Sequence, residues 1–143
     1  MGPIKHKMDD GLELRKLSFQ SLITLLDHTP ESVNFNDCVK CFSYALTDDE
    51  EVKLLCYMLM VRLAKLGGSV VLENLPSFID VITSDVQKSG DSSVKRNSIQ
   101  ALAALSLIPN SLSFSKKLEE TINTLEKYGA LNHFNQAKSE IQI

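Results

Sequence analysis

Three stretches of this chain can be written beneath one another as helices of one design: LRKLSFQSLITLL from Leu14, VKLLCYMLMVRLA from Val52 and VKRNSIQALAALS from Val94. The offsets between them are 38 and 42 residues. Apolar residues recur at matching places: Leu14, Val52 and Val94; Phe19, Tyr57 and Ile99; Leu22, Met60 and Leu102; Leu25, Leu63 and Leu105. That spacing draws one apolar stripe along a helix, which needs another element to cover it. A basic residue follows the first apolar position in every copy, as Arg15, Lys53 and Lys95. Each stretch is preceded by side chains that accept from the free N–H groups of a first turn: Asp9-Asp10, Asp48 to Glu51, and Asp91-Ser92-Ser93. First helices are therefore predicted near Gly11–Asp27, Asp49–Leu66 and Ser92–Ile108. Leu22, Leu25, Met60, Leu63, Leu102 and Leu105 should be buried between layers.

A second helix follows each first one. NFNDCVKCFSYAL sets Phe35, Cys38, Val39, Phe42, Ala45 and Leu46 on one face, and VLENLPSFIDVIT does the same with Leu72, Leu75, Phe78, Ile79 and Ile82 at an offset of 37. Leu75-Pro76 reads as a helix start, since proline is tolerated in a first turn, with a short turn over Ser69 to Asn74 before it. Pro109-Asn110 breaks the chain, SFSKKLEETINTLEKY supplies the third return helix, and Gly129 stops it. ALNHFNQAKSEIQI is a weaker terminal helix or frayed tail. Helix pairs repeating at about 40 residues are the HEAT or armadillo arrangement, in which stacked pairs bury a continuous core. An unrelated bundle of six or seven helices would not need the acidic starts and apolar register to agree in all three copies. The fold class is thus all-α, a HEAT/armadillo-like right-handed solenoid of about three antiparallel pairs. Residues 1–8 read as the loop from a preceding repeat and 9–143 as the HEAT-repeat domain. Its pairs span about 9–47, 48–88 and 91–128, and a terminal helix or tail spans 130–143.

Composition narrows the function. The chain of 143 residues is 43% hydrophobic and 23% charged, too apolar for disorder, and it lacks Trp. At this length folding should bury roughly 68% of the unfolded chain's surface. A formal net charge of −3 gives no electrostatic reason to expect nucleic acid as a partner. No apolar run approaches the ~20 residues of a membrane span, and the stretch Leu54 to Val61 ends at Arg62. Lys5 and Lys7 are not followed by the apolar core of a signal peptide, and His6 stands where a myristoylation motif wants Ser or Thr. Three cysteines, an odd count, suit reduced thiols in the cytoplasm and nucleus.

Chemistry-bearing motifs are sparse. Cys38-Val-Lys-Cys41 could suggest redox or zinc chemistry. A redox thiol pair needs a helix N-terminus following a strand, and zinc needs two more ligands, whereas Cys56, His28 and His133 form no second pair. The spacing puts Cys38 on the buried face and aligns Cys41 with Phe78, which makes them ordinary helix thiols. His6, His28 and His133 fall in loops or the tail, and no nucleophile–base set is legible. Gly67-Gly68 reads as a helix stop, Lys116-Lys117 as a solvated face, and Asp48 to Glu51 as capping. Neither an enzyme activity nor a cofactor or metal is expected. What is left is surface. The second helices of such solenoids usually line the concave side, and their outward positions meet partners. These are Asn36, Asp37, Lys40, Ser43 and Tyr44 in the first pair, and Ser77, Asp80 and Ser84 in the second. Tyr44 offers contact area with a hydrogen-bonding tip, though packing against a neighbouring pair would use it equally.

Specific blocks go further. The opening carries Gly2, Pro3, Lys5, His6, Asp9, Asp10, Gly11, Leu12, Arg15, Lys16, Thr24, Leu25, Leu26 and Asp27; MLMVRLAKL follows at Met58 to Leu66 and ALAALSLIP at Ala101 to Pro109. With these blocks in this order the chain resembles the cullin-associated, neddylation-dissociated proteins, also described as TATA-binding-protein-interacting proteins. The resemblance implies a HEAT-repeat superhelix wrapped around a cullin that lacks its ubiquitin-like modifier. Its C-terminal repeats would lie toward the cullin's N-terminal end and compete there with the substrate adaptor. It implies a non-enzymatic role in exchanging substrate receptors on cullin-RING ubiquitin ligases, and that this chain is the last part of a longer protein. A generic HEAT/armadillo adaptor, or a transport or assembly scaffold with another client, is the alternative. Two segments depart from the family pattern, the short 83–93 connection and the tail beyond Pro109, and the resemblance assigns neither a role. Three pairs offer only part of a wrapping surface, so weak binding is expected. Weak self-association through the exposed end of the first pair, around Leu12, Leu17 and Phe35, is expected as well.

Overall fold

The computed structural model describes residues 11–141, so the expected loop over 1–8 and the carboxylates Asp9 and Asp10 lie outside the described residues. Helix α1 spans Leu12–His28 and, after a 3₁₀ turn at Pro30–Ser32, α2 (Phe35–Lys40) and α3 (Phe42–Ala45) bring the chain back. Then α4 (Glu50–Leu66) goes out again, and α5 (Gly68–Asn74) and α6 (Ile79–Val86) return. The third pair is α7 (Ser93–Leu107) with α8 (Ser111–Phe114) and α9 (Lys116–Asn123); α10 (Leu131–Glu140) follows. No strand occurs among the described residues. The long helices lie side by side, α1 on α4, α4 on α7 and α7 on α10, while α2 meets α5 and α6 meets α9 in the other layer. This is an all-α helical-repeat solenoid.

The starts of the helices obey the capping chemistry of the sequence. Asp49 accepts from the Glu51 N–H at 3.0 Å, Ser92 from Lys95 at 3.1 Å and Ser115 from Leu118 at 3.1 Å. Asn34 does the same for α2, accepting from Asp37. Ion pairs fix the parallel packing of α1 on α4. Arg15 grips Asp48 through two bonds of 2.7 and 2.9 Å near one end, where Lys16 also reaches Glu51. Arg62 grips Asp27 at 2.8 and 3.2 Å near the other. The guanidinium beside Asp27 holds its carboxyl below the usual range, and the hydrogen bonds to Glu51 and Glu13 raise the Lys16 ammonium.

Met60, Leu63, Leu102 and Leu105 are fully buried between neighbouring long helices, with Ala101, Ala103 and Ala104 letting α7 approach closely. The same positions of α1 correct the expectation. Leu22 is half-buried and Leu25 is 41% exposed, because α1 has a long-helix neighbour on one side only among the described residues. With Leu14 and Leu17 it leaves an apolar stripe open.

Two local expectations need correction, and a third resolves between its alternatives. Ser69 to Asn74 is helix, not a turn; Pro76, lacking an N–H, sits instead in a 3₁₀ turn at Leu75–Ser77 that splits the return helix. Of the two alternatives beyond Gly129, a terminal helix or a frayed tail, the chain takes the helix. Gly129 takes the left-handed conformation (φ +69°), the chain turns, and α10 packs on α7 through Phe134 and Ala137. It begins 38 residues after α7, the same spacing as α4 after α1, and stands where the first helix of a fourth pair would. Cys41 also departs from its alignment with the buried Phe78. The return helix of the first pair turns at Cys41, which leaves that thiol exposed and sends Phe42 inward, where its ring meets Phe78 edge-on at 5.3 Å.

Gly67-Gly68 does more than stop α4. A Cβ on Gly67 would stand 2.6 Å from the Phe35 ring, and one on Gly68 would stand 2.8 Å from Ile108. The bend between α4 and α5 thus lets side chains of both neighbouring pairs close over the backbone.

Candidate protein-binding face

The outward positions of the return helices carry the candidate contacts. Asn36, Asp37 and Lys40 are exposed on α2, Tyr44 on α3 stands 74% exposed, and Ser43 beside it is half-buried. In the second pair Asp80 and Ser84 are exposed on α6, and Ser77 lies in the 3₁₀ turn, donating to the Asn74 carbonyl at 2.8 Å. Among the described residues no neighbouring pair covers the Tyr44 ring.

Sequence reasoning missed the hollow next to this row. Between α6 and α9 an open depression of about 660 Å³ is lined by Asp80, Thr83, Ser84, Gln87, Lys88, Lys117 and Tyr128. Thr83 and Thr121 share a hydroxyl hydrogen bond of 2.8 Å across its floor, and Gln87 donates to Thr124 at 3.4 Å. Lys117, read above as a solvated lysine, stands 3.6 Å from Asp80. Only Thr83 and Thr121, 38 residues apart at the spacing of the repeat, hinted at a polar seam here, and either could equally have been solvent-facing.

Behind the hollow lies a buried carboxylate. Asp85 accepts from the Tyr57 hydroxyl at 2.5 Å, from Lys53 at 2.9 Å and from Lys88 at 3.0 Å. Burial, and the hydrogen bond to Asp85, push the Tyr57 hydroxyl well above its ordinary range. Lys53 is one of the three recurring basic residues, and all three do the same job. Arg15 reaches Asp48 just beyond α3, Lys53 reaches Asp85 at the end of α6, and Lys95 donates to the Tyr128 carbonyl at 2.9 Å in the turn after α9. Each clasps the end of its own return helix, where carbonyl dipoles favour a cation. The third clasp differs in lacking a carboxylate among the described residues.

The cysteines form no site. Cys38 and Cys56 are buried, and burial raises both thiols, while Cys41 is exposed and donates to the Asp37 carbonyl. No three metal-ligating side chains gather, and no helix is long and apolar enough to cross a membrane, among the described residues.

The family model described as TATA-binding protein interacting (TIP20) matches residues 1–141. The chain belongs to this family. Among curated relatives, the TATA-binding protein interacting family resemblance extends to proteins called cullin-associated NEDD8-dissociated protein 1. The one from Dictyostelium discoideum is 32% identical over 98% of this chain, and that from Drosophila melanogaster is 32% identical over 90%. The Arabidopsis thaliana protein is 30% identical over 89%. The chain spans only 11–12% of the length of these relatives. No solved structure matches. For this member of the family, the blocks that carry the likeness fall largely on the long helices: Met58 to Leu66 closes α4, and Ala101 to Pro109 ends α7.

Proposed function

We propose that this chain is a non-catalytic protein-binding scaffold that docks a cullin on the outward face of its return helices. The observation that carries the reading is the alignment of nearly the whole chain with proteins named as cullin-associated. In its finer form the partner is a cullin free of its ubiquitin-like modifier, and docking sequesters it and promotes exchange of substrate adaptors on cullin-RING ligases, in cytoplasm and nucleus. Tyr44 is the natural anchor. It is a large, exposed ring with Lys40 one turn before it, and burying such a ring supplies contact area at little entropy cost. Titration against the N-terminal region of an unmodified cullin tests this. Tyr44→Ala should weaken binding about tenfold or more, the range of a hot-spot truncation, and Lys40→Glu should weaken it less. Unchanged affinity in both variants would move the contact off this face. No binding by the wild type at high micromolar concentration would leave the generic adaptor with another client.

The open stripe of α1 supports a second, weaker contact. Leu14, Leu17 and Leu25 recur along one exposed side, and a second copy of the chain can cover them at high concentration. Sedimentation velocity should show concentration-dependent self-association that Leu17→Lys removes. A monomer at all concentrations would refute it.

A further inference from the structure

The hollow between α6 and α9 holds an excess of positive charge in a chain that is acidic overall. Lys88 and Lys117 line it, and Lys53 and Lys95 stand in the clasps behind it. Among the described residues two carboxylates pair with these four ammonium groups. Asp85 is buried and shared between Lys53 and Lys88, and Asp80 on the rim is 3.6 Å from Lys117. Lys95 is the telling member. It is only 6% exposed, and its ammonium donates to one carbonyl, that of Tyr128, a residue of the hollow's wall. In the two preceding pairs the recurring cation has its own aspartate; here, among the described residues, the position is filled by a backbone dipole alone. A buried cation with no carboxylate partner among the described residues raises the potential of the nearest open space, and a concave site focuses that field. Ser84, Tyr128 and Gln87, whose side chains carry hydrogen-bond donors, line the same space.

We propose that this hollow receives an acidic side chain, aspartate or glutamate, presented by the partner protein. The carboxylate seats against Lys88 and Lys117, takes a hydrogen bond from Ser84 or Tyr128, and supplies the counter-charge that the third clasp lacks. The proposal rests on the protein-binding reading above and deepens it: Asp80 and Ser84 belong to the candidate contact face, and the hollow gives that face a charge preference. Competition with Asp80 for Lys117 is part of the exchange, as the 3.6 Å separation is long for a strong pair.

The test uses the full chain, nitrogen-15 labelled, and a capped peptide of six glutamates, with six glutamines as the uncharged control. Amide shifts should cluster at Ser84, Gln87, Lys117 and Tyr128 with the acidic peptide only, and shrink as salt rises. Ser84→Glu, which plants a carboxylate in the hollow, should weaken the peptide about tenfold, as should Lys117→Glu. Lys138→Glu, at an exposed position of α10, makes the same net charge change as Lys117→Glu and should leave it unaltered. Shifts scattered over all surface lysines, or equal losses in all three variants, would overturn the proposal. A parallel titration with the cullin N-terminal region separates the two readings. A cullin that binds Ser84→Glu and Lys117→Glu as tightly as the wild type overturns the hollow while leaving the scaffold standing. If the acidic peptide maps to the hollow but no cullin binds, the hollow stands and the cullin reading fails.

Discussion

Replacing Asp85 with alanine is expected to destabilise the chain by about 3–5 kcal/mol, the cost of breaking a buried ion pair from one side. The carboxylate is 2% exposed and satisfies three donors at once, on α4 and at the end of α6. Without it the Lys53 ammonium, whose side chain is mostly buried, keeps its charge but loses its counter-ion, and the Tyr57 hydroxyl loses its acceptor inside the core. Urea unfolding monitored by helical circular dichroism measures the change as a fall in midpoint at constant slope. Two comparisons make the result diagnostic. Asp27→Ala removes an ion pair of similar geometry on the surface, where solvent screens both partners, and should cost under about 1 kcal/mol. Replacing the node as a whole, with Asp85→Leu, Lys53→Met and Tyr57→Phe together, should recover much of the loss, since no charge or hydroxyl is then stranded. A single Asp85→Ala loss no larger than that of Asp27→Ala would mean that water reaches the node.

The architecture was legible because it repeats. A stripe that recurs three times at 38 and 42 residues constrains the chain more than any one helix could, and the first helices begin and end within a residue or two of their expected limits. The recurrence of Arg15, Lys53 and Lys95 was visible too, but not its purpose. Their partners lie about 32 to 33 residues further on, and in the third pair the partner is a backbone carbonyl that no side-chain pattern encodes. The hollow was illegible for a related reason. It is built from α6, α9 and the turn at Tyr128, and only packing brings them together. The bend at Cys41 likewise cannot be read from the apolar spacing, because Cys41 and Phe42 are both residues a buried face would accept. Leu25 shows the converse. Its sequence context is that of a core leucine, and it is exposed because α1 has one long-helix neighbour among the described residues.

Leu63→Ala should cost about 2–5 kcal/mol, toward the upper part of that range if the site cannot collapse. Leu63 is fully buried in α4, held between α1 on one side and α7 on the other, with Met60 and Ala64 of its own helix also buried. Both flanking helices are fixed at their ends by ion pairs and clasps, so the space left by the leucine cannot readily close. Leu25 offers the internal control, since it occupies the equivalent repeat position with the same residue type. At 41% exposure it has less surface to lose from burial and opens onto solvent, so Leu25→Ala should cost under about 1 kcal/mol. Equilibrium unfolding of the two variants therefore compares one substitution at one repeat position, with and without a second neighbour. Equal losses would place the α1 stripe inside a packed interface, as self-association at the working concentration would produce; adding Leu17→Lys should then restore the difference. A Leu63→Ala loss below about 1 kcal/mol would mean that the α4 layer is not the centre of the core.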